Sequence, residues 1–397
     1  MAESLTLFKP ASIHSFSYMP INFHRVPTAC FVLEEAKLRR NLEILQYVQE
    51  QSGARIILAL KGFAMFSTFG LIKQYLHGTT ASSLYEARLG YEEFGDEVHA
   101  YAPAYFEDEF DELLRYCNHI TFNSPAQWER FRERVSSSSK EVSCAIRINP
   151  EYSEVEVDLY NPCAIGTRLG VTADQIGETL PEGIEGLHFH TLCESDSHAL
   201  ERTLNVVEDR FGHLLHQAKW LNLGGGHLMT REGYDLAHTI RLIKKLREKY
   251  QLDITMEPGS AVAWETGYLT STVEDIINSR GVHAVVLDVS ISAHMPDCIE
   301  MPYKPKILGA HDAQPGEPAY RLGGLTCLAG DYVGDYGFET PLQVGDRIIF
   351  NDMMHYTMVK TTFFNGVRHP SIGIWHEDDT FELVRKFEYE DYKGKLS

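Results

Sequence analysis

The sequence is short of the features that mark membrane, secreted and metal-stabilised proteins. No apolar run in its 397 residues approaches the ~18 residues that a membrane-spanning helix needs. The first ten residues contain no basic segment followed by an apolar core, so we expect no secretory signal. The seven cysteines are odd in number and include no Cys-x-x-Cys pair, which argues against disulfides and a structural zinc site. We therefore expect a cytoplasmic protein with no membrane partner and no metal.

Basic residues are scarce relative to acidic ones. The chain has 36 Lys and Arg residues against 56 Asp and Glu residues, a formal net charge of −20. This charge repels nucleic acid and attracts cationic small molecules, although an acidic balance commonly reflects solubility alone. We expect no nucleic-acid partner.

One lysine directly follows a buried strand. Residues 56–60 (Ile-Ile-Leu-Ala-Leu) are typical of a strand buried on both faces, and Lys61 comes next. A lysine that merely extends into solvent from the strand end would explain this position. If the strand ends in the mouth of a barrel, however, desolvation lowers the pKa of the amine, and the neutral amine can bind an aldehyde covalently. Pyridoxal phosphate carries such an aldehyde.

Short apolar segments alternate with helical ones over the first two thirds of the chain. We predict eight strands, at residues 56–60, 79–82, 98–101, 119–122, 142–148, 184–190, 220–224 and 253–257. Helices are predicted between them, for example at 106–117, 124–135 and 195–218. This α/β alternation favours a (β/α)8 barrel of the TIM type. The alternative, an open doubly wound sheet, would favour a Gly-x-Gly-x-x-Gly turn after the first strand, and there is none.

Polar residues and glycines follow several of these strands, where barrel enzymes carry their active sites. The candidates are Lys61, Arg147, His188, His190, the triple glycine 224–226 and Glu257. The triple glycine follows the seventh strand, which favours a phosphate site over a plain turn. A buried carboxylate such as Glu257, facing a pyridine nitrogen, would keep that nitrogen protonated and make the ring an electron sink.

The pattern changes to period two beyond about residue 268, with apolar segments at 284–289, 346–350 and 373–375. We predict a barrel domain over 30–267 and a mainly β domain over 268–397. The segment 1–29 is assigned to the β domain, because a barrel does not need it.

Lys61, the triple glycine and Glu257-Pro258-Gly259, in this order, resemble the fold-type III, alanine-racemase-like pyridoxal-phosphate decarboxylases of basic amino acids. Within that group three phrases are most similar to the carboxynorspermidine/carboxyspermidine decarboxylases: residues 59–61, 188–194 (His-Phe-His-Thr-Leu-Cys-Glu) and 325–331 (Leu-Thr-Cys-Leu-Ala-Gly-Asp). The resemblance covers nearly the whole chain. It implies that Lys61 carries the cofactor, His190 stacks on its ring, Glu257 pairs with the pyridine nitrogen and Arg147 lies near the ring hydroxyl. It also implies that the phosphate is held by Gly225, Gly226 and Tyr356.

The resemblance further implies a homodimer with shared active sites. Cys327 matches the cysteine that, in relatives, comes from the second subunit and helps to protonate the carbanion after carbon dioxide leaves. Asp331 would come into the site with it.

Two departures from diaminopimelate decarboxylases point to a different substrate tail. Those enzymes have an arginine directly after Glu-Pro-Gly, where this chain has Ser260, and a second arginine in a region that here is acidic, residues 295–303. Since arginine suits carboxylates and carboxylates suit ammonium groups, the far end of the substrate should be cationic. The residues expected to bind it are Asp297, Asp331, Glu194 and Glu300. A third departure, His190-Thr-Leu-Cys193 in place of His-x-Gly-Ser, removes a serine from the phosphate region.

The resemblance thus implies decarboxylation of carboxynorspermidine or carboxyspermidine to norspermidine or spermidine, a step of polyamine biosynthesis. Decarboxylation of diaminopimelate, ornithine, lysine or arginine is the alternative within the enzymes. A non-catalytic relative that binds a regulatory partner is the alternative outside them. Lys61 and Cys327 are both intact, which argues against that last possibility.

Overall fold

The computed structural model describes residues 21–397 and contains a closed parallel barrel. Its sheet has nine segments, two of which, Arg55–Ile56 and Leu58–Ala59, are halves of one strand. Arg55–Ile56 pairs with the last barrel strand, and Leu58–Ala59 pairs with the second barrel strand. These two pairings close the barrel. The other seven strands are Gly78–Ala81, Glu97–Tyr101, His119–Phe122, Ser143–Arg147, Ile184–His188, Trp220–Asn222 and Asp253–Met256. The predicted (β/α)8 fold is confirmed.

Helices cover the outside of the barrel. They are Glu35–Ser52, Phe69–Ile72, Leu84–Leu89 with the π-helix Gly90–Phe94, Phe110–Tyr116, Pro125–Ser136, Ala173–Ile176, Ser197–Leu215, Leu236–Tyr250 and Ser260–Ala263. Ser124 caps its helix as the Ser-Pro pair indicates, accepting a hydrogen bond from the Gln127 amide. Within residues 21–397, no helix is both long enough and apolar enough to cross a bilayer.

A mixed sheet forms the second body of the chain. Its nine strands are Cys30–Glu34, Gly267–Ser279, Val282–Leu287, Ala310–Asp312, Ala319–Gly323, Tyr332–Phe338, Arg347–Asn351, Ser371–Trp375 and Phe381–Arg385. Three short helices, Ile291–His294, Asp297–Glu300 and Tyr389–Leu396, follow strands of this sheet. Within residues 21–397 there are also five 3-10 turns: Phe23–Arg25, Phe66–Thr68, Asp158–Tyr160, Met358–Lys360 and Phe364–Gly366.

Strand Cys30–Glu34 belongs to this sheet, which differs from the predicted domain boundary at residue 30. It pairs antiparallel with Gly267–Ser279 and parallel with Ser371–Trp375. All five of its residues are buried, so the apolar run that precedes the first helix is explained by sheet pairing. Residues 21–29 contain a 3-10 turn and no strand, and the rest of the segment assigned to the β domain, 1–20, lies outside the described residues.

Helix Glu35–Ser52 joins the sheet to the barrel and supports the loop after the last barrel strand. The Asn41 side chain is buried, and its Nδ2 donates to the carbonyls of Val262, at 3.2 Å, and Trp264, at 2.9 Å. Those carbonyls lie at the end of a four-residue helix that leaves them without partners of its own.

We expect Asn41→Leu to lower the free energy of unfolding by about 2–4 kcal/mol, because two buried carbonyls lose their donor. The midpoint of urea unfolding, followed by circular dichroism, measures the loss. Arg40→Leu, at an exposed position of the same helix, is the matched control and should change little. If Asn41→Leu were as stable as the control, the two hydrogen bonds from Asn41 would not stabilise the loop.

Candidate active site

A cavity of about 980 Å³ lies at the carboxyl ends of the barrel strands and is closed on one side by the sheet domain. Predicted site residues that line it are Lys61, Arg147, His190, Glu194, Gly225, Gly226, Glu257, Asp297 and Tyr356. The barrel therefore brings together residues that are almost 300 positions apart in the chain.

Lys61 projects into the cavity from the end of the first barrel strand. Its Nζ lies 3.3 Å from Nε2 of His190. The side chain is open to solvent inside the cavity, but it lies deep below the protein surface, and this depth lowers the pKa of the Lys61 ammonium. The guanidinium of Arg147 lowers that pKa further, while Glu257 opposes the shift. A neutral amine, the form that binds an aldehyde, is thereby favoured.

Glu257 is held as a charged carboxylate by its neighbours. Asn222 donates to Oε1 at 2.7 Å, and Nε2 of His188 lies 3.5 Å from Oε2. Burial alone raises the pKa of Glu257, but His188, His99 and Asn222 bring it down to about 2. A carboxylate that stays ionised in the protein interior can pair with a protonated ring nitrogen.

His190 is neutral, and its tautomer is fixed. The Gly225 amide donates to Nδ1 at 2.8 Å, so Nδ1 carries the lone pair and the proton of the neutral ring is on Nε2. Burial lowers the pKa of His190 well below its usual range, and the charges of Lys61 and Arg147 add to this effect. Nε2–H therefore points toward the Lys61 amine, which accepts when it is neutral.

Arg147 lies at the end of the fifth barrel strand. Its Nη2 donates to the carbonyl of His190 at 3.1 Å, and its guanidinium lies 4.5 Å from the centre of the Tyr101 ring. Tyr101 in turn packs against His188, with ring centres 5.3 Å apart. Arg147 is thus fixed beside the lysine.

The loop after the seventh strand requires glycine. A Cβ on Gly225 would lie 2.5 Å from the Glu257 carbonyl oxygen, and a Cβ on Gly226, whose φ is +88°, would lie closer still to the Leu192 carbonyl oxygen. The backbone can therefore approach a ligand without side chains in between, as a phosphate cradle requires. Tyr356 lies nearby, with its amide bonded to the Gly62 carbonyl at 2.7 Å. Burial raises the pKa of its hydroxyl, so Tyr356 is a hydrogen-bond donor.

Acidic residues are grouped on one side of the cavity. Glu194, Asp297 and Asp352 all line it, and the charges of Asp352 and Asp297 help to raise the pKa of Glu194. Burial is the main cause that raises the pKa of Glu194, and its carboxylate makes no hydrogen bond or ion pair to any of residues 21–397. Asp297, in contrast, is paired with Lys360, as is Glu300, which does not itself line the cavity.

Cys327 and Asp331 lie elsewhere. Cys327 is exposed on the sheet domain and does not line this cavity, so within one chain it does not share a site with Lys61. Asp331 is buried in the sheet domain and does not line this cavity either, so its predicted contact with a substrate tail stays a prediction. Its two oxygens accept hydrogen bonds from the Ser290 hydroxyl, the Ser292 amide and both the amide and hydroxyl of Thr326. Its carboxylate is therefore occupied in fixing the loop that carries Cys327.

Several residues near the predicted set carry no assigned role in the sequence. The sequence contains a signal for Asn222, because it is a polar residue within the otherwise apolar predicted strand 220–224. Trp264 and His355 line the cavity with stacked rings, 5.5 Å between centres, and Lys360, which follows His355 closely in the sequence, lines the same cavity. These three stand in irregular segments or at their ends, where no periodicity indicates which way a side chain points.

The residues present fit pyridoxal phosphate. An amine of lowered pKa, a buried carboxylate that stays ionised and a glycine loop open to an anion are what its aldehyde, ring nitrogen and phosphate require.

Comparison with known proteins agrees with this fit. The sequence model of the family described as "Pyridoxal-dependent decarboxylase, C-terminal sheet domain" matches residues 30–354. A carboxyaminopropylagmatine decarboxylase from Synechocystis sp. is 54% identical over 372 residues, with 94% of this chain and 96% of that protein covered. A carboxynorspermidine/carboxyspermidine decarboxylase from Campylobacter jejuni is 42% identical over 381 residues, with 93% and 98% covered.

A crystal structure of Campylobacter jejuni carboxynorspermidine decarboxylase complexed with norspermidine has the same fold. Its TM-score is 0.87 at 41% identity, with 93% of this chain and 100% of that chain covered. The resemblance read from the motifs is confirmed, and pyridoxal phosphate is the cofactor. By fold, cofactor and relatives, the chain belongs to the family of pyridoxal-dependent decarboxylases.

Proposed function

We propose that this chain removes carbon dioxide from a carboxylated polyamine, carboxynorspermidine or carboxyspermidine, and releases norspermidine or spermidine. The observation that carries the proposal is that one cavity joins the Lys61–Glu257 centre to a group of carboxylates. An amino-acid head and a cationic tail would each find a partner there. Relatives of 42% and 38% identity are named for these substrates, whereas a diaminopimelate decarboxylase is 22% identical.

Each residue of the centre has a definite proposed task. When bound, pyridoxal phosphate accepts the electron pair left on the α-carbon as carbon dioxide departs. Lys61 would anchor the cofactor, and Glu257 would keep a proton on the ring nitrogen. His190 would pack against the ring as a neutral imidazole, and Arg147 would lie near the ring hydroxyl. The Gly226 amide and the Tyr356 hydroxyl would hold the phosphate, and Gly225, whose own amide donates to His190, would leave room for it by having no side chain.

We propose a homodimer in which Cys327 works in the partner's cavity. The loop that carries it is fixed by Asp331, and the apolar side chains of Leu325, Leu328 and Tyr332 around it are about half exposed. A second copy of the chain would cover this apolar surface. We also propose a cytoplasmic location, since all seven cysteines are free thiols, as in a reducing compartment.

A guanidinium-ended substrate is the second candidate. It is favoured by the 54% identity to a carboxyaminopropylagmatine decarboxylase. Trp264 lines the cavity with its ring stacked on His355, and an indole beside the cavity is the kind of group on which a guanidinium can stack. The two candidates share the reaction and differ only at the tail.

The substrate class is tested by decarboxylation assays on carboxynorspermidine, carboxyspermidine, carboxyaminopropylagmatine, diaminopimelate and ornithine. We expect kcat/KM for the best carboxylated polyamine to exceed that for diaminopimelate by at least 100-fold, because a distal carboxylate would face Glu194 and Asp297. The ranking among the first three separates the ammonium-ended from the guanidinium-ended candidate. Faster turnover of diaminopimelate would refute the polyamine assignment.

Lys61→Ala should abolish turnover, with a loss well beyond the ~10²–10⁴-fold typical of one acid–base group, because Lys61 both anchors the cofactor and must be displaced by substrate. Initial rates and the visible absorbance of the cofactor are measured together. Lys306→Ala, which alters another lysine of the cavity wall, serves as the control. Activity of Lys61→Ala within tenfold of wild type would exclude the assignment.

The shared site is tested by mixing subunits. Lys61→Ala and Cys327→Ala proteins are each expected to be nearly inactive, and the mixture should regain activity because one of the two sites in a mixed dimer has both residues. Exchange of subunits is verified by native mass spectrometry. If exchange occurs and activity does not return, both residues act within one chain.

A further inference from the structure

The ammonium of Lys360 occupies a position built for a cation. Its Nζ is 2.5 Å from Asp297 Oδ1 and 2.7 Å from Glu300 Oε2. The rings of Tyr160 and Tyr356 face it, with centres 5.9 and 6.0 Å away. Burial alone lowers the pKa of Lys360, but the two carboxylates raise it above its usual range, so the amine is charged. Two acids and two aromatic faces are the groups that would recognise an alkylammonium.

This cation site opens into the proposed active site. Lys360, Asp297, Tyr160 and Tyr356 all line the cavity that contains Lys61. Two carboxylates face one ammonium, so the group keeps a net charge of −1 while Lys360 is in place. A second cation entering the cavity is attracted to the same acids that Lys360 holds.

Lys360 is able to leave this position. It is the last residue of the 3-10 turn Met358–Lys360, and its amide is bonded to the Tyr356 carbonyl at 3.0 Å, so its backbone is fixed. The side chain is 27% exposed and ends a flexible four-carbon stem. Moving the ammonium into water requires side-chain rotation alone.

We propose that Lys360 is an internal competitor for the tail ammonium of the substrate, a proposal that rests on the proposed function. The tail is the same before and after decarboxylation. Contacts to it stabilise substrate, transition state and product alike, and such uniform binding does not speed the chemical step. A polyamine product held tightly by Asp297 and Glu300 would leave slowly. The Lys360 ammonium takes back its position as the tail withdraws, which weakens product binding and favours release.

The first experiment measures norspermidine and spermidine binding to the holoenzyme by calorimetry, with inhibition constants from the decarboxylation assay. Lys360→Met removes the competing charge, keeps an unbranched side chain that is one atom shorter, and leaves both carboxylates free. We expect at least fivefold tighter product binding and a lower KM for the carboxylated substrate, with no increase in kcat. Lys360→Arg keeps the charge and should bind product as wild type does.

Matched variants separate competition from a general change in charge. Lys306→Met removes a cavity lysine that makes no ion pair with any of residues 21–397, and product binding should change less than twofold. Adding Asp297→Asn to Lys360→Met removes one of the two acids and should reverse the gain. Thermal unfolding of each holoenzyme shows whether the helix Asp297–Glu300 stays in place.

Weaker or unchanged product binding in Lys360→Met would overturn the proposal, whether or not the variant is less stable, because Lys360 would then support its carboxylates rather than compete for them. Tighter binding in both Lys306→Met and Lys360→Met would overturn it as well, since net charge alone would explain the gain. A wild-type enzyme that neither binds nor decarboxylates polyamine compounds would refute the proposed function itself, and the inference would fall with it.

Discussion

The carboxylate of Glu257 is the constraint around which the barrel mouth is arranged. A charged oxygen pair inside a protein is unstable unless neighbours replace the lost water. Asn222 and His188 do so from the two strands that precede it in the barrel, and Tyr101 packs on the far side of His188. Arg147 stacks on Tyr101, and its own position fixes the carbonyl of His190. The residues proposed to face the ring of the cofactor are thus connected to one another through the residues that stabilise one carboxylate.

Charge also divides the cavity into two regions with different chemistry. Around Lys61 the neighbours favour neutral amine and imidazole, which is the state that covalent capture of an aldehyde needs. Around Glu194, Asp297 and Asp352 the carboxylates raise the affinity for protons and cations. A substrate with an amino-acid head and a cationic tail is oriented by this difference before any specific hydrogen bond forms.

The barrel and the centre of the site were accessible from the sequence because regular patterns specify them. Alternating apolar strands and helices predict which residues end each barrel strand, and Lys61, Arg147, His190 and Glu257 were found at such ends. Asp331 illustrates what such patterns omit, since a motif places it near Cys327 but cannot reveal that its oxygens are used by Ser290, Ser292 and Thr326. The ion pair of Asp297 with Lys360 joins residues 63 positions apart, and only the folded chain brings them together.

The position of strand Cys30–Glu34 has a consequence for synthesis on the ribosome. This wholly buried strand lies between Gly267–Ser279 and Ser371–Trp375, so neither neighbour exists when it leaves the exit tunnel. At ~5–20 residues per second, the second neighbour follows roughly 20 to 70 seconds later. Throughout that interval an apolar segment with unpaired backbone groups is open to other chains. A chain that ends before residue 371 lacks the parallel partner of this strand, so that edge of the strand has no backbone partner within the chain.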